Sequence, residues 1–381
     1  MTVEIQLGDP DLLRDPFTGY AHAREQAPVV ALVAPGFGTM WAVTRHAEAR
    51  AFLADPRFTL GDESFQRLDV PAHCRPYLRT MQHIDGAEHA RLRRMVTPGF
   101  SARTAAASRP RLREIVDDLL DGLERAADQD GTVDLLRHFA TPLPMEVICE
   151  LVGVPAEDRP QWHVYGRAVA AGHGAAFKEA IPAVIEGAQA AVARRRTSPG
   201  PDVLSRLVTE DLTDAELVTF VWHLVLAGQT PTNLIANAIP TLLDHRDQLT
   251  AFRDTRSVEE LLRWCGPQLL TIPRQAGEDV ELCGELIKKG EPVTAVLAAA
   301  NRDPRAFADP DRFDVDRAPN NHLSFAHGAH FCLGAPLARV QTEVALTALF
   351  DRYPDLRLAD RTERIPDPAT WRLPTLRVSL G

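Results

Sequence analysis

The stretch Phe325-Ala326-His327-Gly328-Ala329-His330-Phe331-Cys332-Leu333-Gly334, running on into Ala335-Pro336-Leu337-Ala338-Arg339, decides how this chain is read. Cys332 stands just before Leu337 to Tyr353, where Leu337, Val340, Val344, Leu346, Leu349 and Phe350 recur at helical spacing. A helix start presents unpaired amides and a partial positive charge. A cysteine placed there is expected to have its thiolate favoured and its pKa lowered, as a metal ligand requires. Gly328 and Gly334 permit close backbone turns beside the sulfur, and Phe325 can wall it from water. A single cysteine before a helix is more often structural. The spacing of the residues around this one argues for ligation.

Outward from that loop, 381 residues are enough for two or three ordinary domains or for one large fold around a buried ligand. Apolar residues at 45% and charged ones at 25% describe a globular chain with a substantial core. A formal charge of -10 opposes general nucleic-acid binding, which needs a basic surface. The five cysteines are scattered, with no CxxC pair, against a disulfide framework or a structural zinc site. The N-terminus lacks the basic start and apolar run of a secretory signal. The most apolar stretch, Leu217 to Gly228, is too short to span a bilayer and carries Thr219 and His223. A cytoplasmic protein without membrane partners is expected.

Helical periodicity runs from about Ala87 to Ala127, breaks at Pro142 and Pro144, and resumes from about Gln161 to Arg196. Thr213-Asp-Ala-Glu216 reads as a capping box. The long helix expected after it, Leu217 to Leu243, is apolar nearly all round and should run through the interior. Val280-Glu-Leu, Glu285-Leu-Ile and Pro292 to Leu297, punctuated by Gly284 and Gly290, look like small strands. The expected class is mostly α with small β-sheets (α+β), as a single domain over residues 1–381.

With these residues in view, the chain resembles the cytochrome P450 family. Phe325, Gly328, His330, Cys332, Gly334, Leu337, Ala338 and Arg339 match its ligand loop in register, with Ala326 at one usual glycine, a departure that reads as mild. Glu260-Leu-Leu-Arg263 matches a second motif, and Arg312 in Asp311-Arg312-Phe313 is expected to join that pair. The resemblance implies haem b (iron protoporphyrin IX) held between the central helix and the cysteine loop, with Cys332 on the iron. It implies His89, Arg93, Arg274 and His322 as propionate contacts, each of which alone would read as ordinary surface charge. Gly334 and Ala227 are expected beside the haem.

On the oxygen side, relatives carry Ala-Gly-x-acid-Thr, where this chain has Ala227-Gly228-Gln229-Thr230-Pro231-Thr232. Thr230 replaces the acid and Pro231 the alcohol. Pro231 should free the carbonyl of Ala227. One reading has a water between that carbonyl and the hydroxyl of Thr230 or Thr232 relaying protons, with Gln229 nearby. The other has Pro231 merely kinking the helix while substrate groups carry the protons. Peroxide-using relatives also have this proline, but with an arginine before it.

His223, one turn before Ala227, is either a pocket residue or a core histidine. Gln268, Leu270, Trp371 and parts of Phe65 to Leu78 fall where relatives line their pockets. The resemblance implies an oxidoreductase that takes electrons from a ferredoxin and its reductase and uses dioxygen to hydroxylate a small molecule or peptide, in natural-product biosynthesis, as a monomer. One alternative is carbon-carbon or carbon-oxygen cross-linking of aromatic groups without oxygen insertion. Another is a haem-binding sensor or scaffold without turnover. Arg91, Arg94 and Arg339 are either a ferredoxin-docking face or solvated charges.

Overall fold

Where the sequence alternates a capping residue with helical periodicity, the chain is helical. The computed structural model describes residues 2–34, 38–60, 70–170, 175–255 and 257–381. The Thr213 side chain accepts from the Glu216 amide at 3.2 Å while the Glu216 carboxylate takes the Thr213 amide at 2.7 Å, so the expected capping box starts the helix Asp214–Ala227. Eight of that helix's residues, from Leu217 to Val225, and Leu226 beyond them, are buried except for His223.

The single long helix expected over Leu217 to Leu243 is two helices, Asp214–Ala227 and Pro231–Asp244. Gly228 to Thr230 forms a tighter turn, with Gln229 N–H donating to Leu226 at 3.3 Å and Thr230 N–H to Ala227 at 3.3 Å. Pro231 has no amide to continue the ladder and sits at the first position of a new helix, where none is needed. The same rule explains Pro142 and Pro144. Expected as breaks, they lie in the first turn of the helix Pro142–Val152. The periodicity of residues 87–127 likewise divides into Gly86–Val96, Ala102–Ala107 and Arg109–Ala126 around Thr97-Pro98-Gly99-Phe100.

The expected strands are present as Val280–Leu282, Glu285–Ile287 and Pro292–Ala295. Pro292–Ala295 belongs to a six-stranded sheet in the order Glu4–Gln6, Val29–Ala34, Gly38–Val43, Pro292–Ala295, Arg274–Ala276, Phe58–Thr59. Trp41 pairs with Val293 across a parallel ladder. That sheet brings Arg274 alongside the N-terminal third of the chain. The largest apolar cluster joins the two central helices to the helices before them and to Ala335–Arg352, the helix after Cys332. Among the described residues no helix is long and apolar enough to cross a membrane.

Candidate active site

The cysteine loop is shaped by backbone that few side chains tolerate. Gly328 has φ +78°, and a Cβ there would lie 2.6 Å from the Leu53 carbonyl oxygen. Ala326 has φ +59°, in the left-handed region, so its place at a usual glycine is strained rather than mild. Gly328→Ala is expected to destabilise the protein by about 3 kcal/mol, from conformation and overlap together. Ala326→Gly should stabilise it by about 1 kcal/mol. Urea unfolding of both variants checks this, and equal signs would contradict the loop geometry.

Cys332 donates its amide to the Phe325 carbonyl at 2.9 Å, closing the loop. The residue as a whole is exposed, yet its sulfur is crowded by neighbours. Burial therefore raises the thiol's pKa on balance. The Gly334 amide, Arg93, the Ala335 amide and Arg339 all pull the other way without overcoming it. The expected net lowering is thus corrected: the helix start assists the thiolate, but desolvation of the protein alone outweighs it. Phe325 is half-buried beside the loop with the Arg339 guanidinium 4.6 Å from its ring centre. Gly334 has open space where a Cβ would stand.

Arg93 donates to the Phe331 carbonyl, and Arg274 donates to Leu53 at 2.9 Å. Among the described residues neither guanidinium is paired with a carboxylate. His89 is buried and its ring lies 4.1 Å from that of His330. Burial, then the charges of His330 and Arg93, bring the His89 pKa down to about 4 in the protein alone. His330, whose only sequence signal was its place in the cysteine motif, is bound by Asp85 at 2.6 Å. Asp85 also accepts the Leu60 amide at 2.6 Å.

His322 departs from expectation. Its Nε2 meets Glu259 at 3.0 Å and its Nδ1 accepts the Ser324 amide at 3.2 Å, so both ring nitrogens are engaged within the protein. Burial alone would raise the Glu259 carboxyl, but His322 and Arg339 overcome it and draw it from 4.5 to about 2. A carboxyl lowered in the folded state stabilises above its unfolded pKa. That contribution is lost as pH falls from 4.5 toward 2. Glu259→Gln should flatten the acid limb of the stability curve, read as urea midpoints across that range.

Arg312 is also corrected. The Glu260 carboxylate receives Arg263 through two bonds of 2.7 Å and Arg317 through two of 3.2 Å. Arg312 supplies only its carbonyl, while its exposed side chain pairs with Asp314 at 3.4 Å. Of the proposed docking cations, Arg91 is bound to Glu216 and Arg339 to Glu259, which leaves Arg94 exposed.

On the central helices, Ala227 and Thr230 are exposed, in the partly buried stretch between the buried Leu226 and Leu234. The Thr230 hydroxyl donates directly to the Ala227 carbonyl at 3.0 Å, so that carbonyl is not free and needs no bridging water. Thr232 is half-buried with no side-chain hydrogen bond among the described residues. Gln229 turns away, its side chain against Gly166, where a Cβ would meet its oxygen at 2.2 Å. Leu270 is core beside Val296, Trp371 packs edge-on to Phe17 at 4.9 Å under Arg364, and Gln268 is exposed. Of Phe65 to Leu78, residues 65–69 lie outside the described residues.

A cysteine over an open face, two arginines lacking carboxylate partners and a glycine facing space fit a group with an iron for the thiolate and carboxylates for the arginines. That donor set and this fold define a haem-thiolate protein. The cytochrome P450 family model matches residues 254–368. The chain is 39% identical over 363 residues to the cytochrome P450 monooxygenase PikC of Streptomyces venezuelae, covering 91% of this chain and 86% of that one. The solved structure of the bacillaene polyketide synthase P450 PksS from Bacillus subtilis superposes with TM-score 0.90 at 30% identity, over 99% of this chain and all of that one (100%). The P450 enzyme CxnD, described as forming a C-S bond in chuangxinmycin biosynthesis, does so with TM-score 0.86 at 32% identity, over 100% of this chain and 98% of that one. The chain belongs to the cytochrome P450 family and is an oxidoreductase of its monooxygenase type.

Proposed function

We propose that this protein is a monomeric, single-domain enzyme over residues 1–381 that binds haem b through Cys332 and hydroxylates a small natural product with dioxygen. Its electrons would come from a ferredoxin and its reductase. The observation that carries the reading is the exposed Cys332, whose thiol lies against the amides of Gly334 and Ala335. Arg93 and Arg274 would hold the propionates, with His89 and His330 as neighbouring donors. Bound there, haem supplies the redox chemistry that activates dioxygen. Phe325 keeps water from the sulfur, and the apolar face of the central helices orients the substrate. His223, Gln268, Leu270 and Trp371 are pocket candidates, and His223 lies on a cavity wall.

One observation favours a second reading, oxidative bond formation without oxygen insertion. The Thr230 hydroxyl is spent on the Ala227 carbonyl and Pro231 offers no alcohol, so the usual side-chain proton donors are missing. CxnD, a structural neighbour, is described as forming a C-S bond. Aromatic peptides and polyketides are first screened for a low-to-high-spin shift of the haem. Turnover of a hit under labelled dioxygen separates the readings: label in the product supports hydroxylation, and an unlabelled cross-linked product supports coupling.

A further inference from the structure

A cavity of about 130 Å³ lies between the segment Pro76–Ile84, the helix Gly86–Val96 and the first half of the central helix pair. Its mouth is polar. Arg79 meets Glu88 there through bonds of 2.8 and 3.0 Å, both side chains largely exposed. Glu216 stands beside them, paired with Arg91. Inward, the wall is Met81, Ile84, Leu92, Phe220 and His223.

The acids at the mouth are matched by arginines, so the space has no excess charge with which to hold an ion. Thr219 and Trp222 both donate to the Tyr77 carbonyl, at 3.0 and 2.9 Å. His223 makes no hydrogen bond among the described residues and lines the cavity. A polar space of this size takes several water molecules. His223 precedes Ala227 by one helical turn and shares its face.

We propose that this cavity is a water-filled proton inlet and that His223 is its inner end, relaying protons to the space beside Ala227 that Thr230 and Pro231 do not serve. The inference rests on the monooxygenase reading above. Each product-forming turnover takes up two electrons and two protons and releases one oxygen atom as water. The imidazole accepts a proton from cavity water on one nitrogen and gives up the proton of the other toward the Ala227 side. The residue is left unchanged once the tautomer resets. Burial, with the charge of His83 on the adjoining turn, brings the His223 pKa down to about 4. At neutral pH the ring therefore keeps one N–H and one lone pair, which a relay requires. The other charged groups facing the cavity are Arg79, Glu88 and Glu216.

Two measurements on the haem-loaded enzyme test this. Deuterium uptake at the imidazole C2 of His223, read by peptide mass in heavy water, should slow severalfold in Ala215→Trp, which fills the cavity from the wall Ala215 lines. His223→Phe should raise the fraction of dioxygen released as peroxide by roughly tenfold. Ala215→Trp should raise that fraction too, with His223 still in place, so a His223 variant that fails to fold leaves the idea exposed to refutation. Unchanged uptake in Ala215→Trp, or unchanged peroxide in the variants, overturns the inlet. A wild-type protein without the thiolate carbon-monoxide spectrum overturns the monooxygenase reading instead.

Discussion

Cys332→Ser is expected to yield a folded protein that has lost the red-shifted carbon-monoxide spectrum and, with it, turnover. The hydroxyl nearly matches the thiol in volume, and the amide bond from residue 332 to the Phe325 carbonyl is made by backbone, so the loop keeps its shape. What changes is the donor. An alcohol does not ionise where burial already works against the thiolate and the Gly334 and Ala335 amides only partly compensate. Far-ultraviolet dichroism should match wild type. Retention of the thiolate spectrum by Cys332→Ser would end the ligand assignment, since no other exposed cysteine except Cys283 exists among the described residues and that one lies in a separate hairpin.

Glu260→Ala should cost about 3–5 kcal/mol of unfolding free energy, a large share of what a typical domain has. Glu260 and Arg263 are both fully buried at 0% side-chain exposure. The carboxylate also receives the Asp314 amide at 2.9 Å and the Asn320 side chain at 3.0 Å. Its removal strands the Arg263 cation where water does not reach it and takes the carboxylate from Arg317. Arg317→Ala should cost about 2 kcal/mol, by loss of charged hydrogen bonds. Arg312→Ala, at a surface pair, should stay within about 0.5 kcal/mol. Denaturant titration ranks the three, and an Arg312 variant as damaging as the Arg317 one would contradict the network. The site suffers with it: Asn301, whose carbonyl accepts from Arg263 at 3.0 Å, also binds Leu323 N–H at 2.7 Å, two residues before Phe325.

The cysteine loop and the Thr213 cap were legible because each depends on neighbours close in sequence, whereas the Glu260–Arg263 pair was picked out by the family resemblance. Arg312 and Arg317 lie five residues apart in one irregular segment, and spacing carries no information about which of them turns inward. His322 and His330 flank the same loop, but their partners, Glu259 and Asp85, come from elsewhere in the chain. Ala326 looked like a one-methyl change because its side chain is small. The cost lies in its backbone angle, which composition does not reveal.

Local chemistry in the sequence thus determined the helical class, the ends of many elements, the candidate ligand Cys332 and the absence of the usual acid and alcohol at Thr230-Pro231. Only the tertiary structure decided that the central helix divides at Gly228, that Thr230 caps the Ala227 carbonyl, and that Gln229 faces Gly166. It alone placed His223 on a cavity wall. The physical reason is the same in each case. Hydrogen-bond partners and open space are properties of segments that meet across the fold, and their desolvation is settled by what packs beside them, not by the order of residues along the chain.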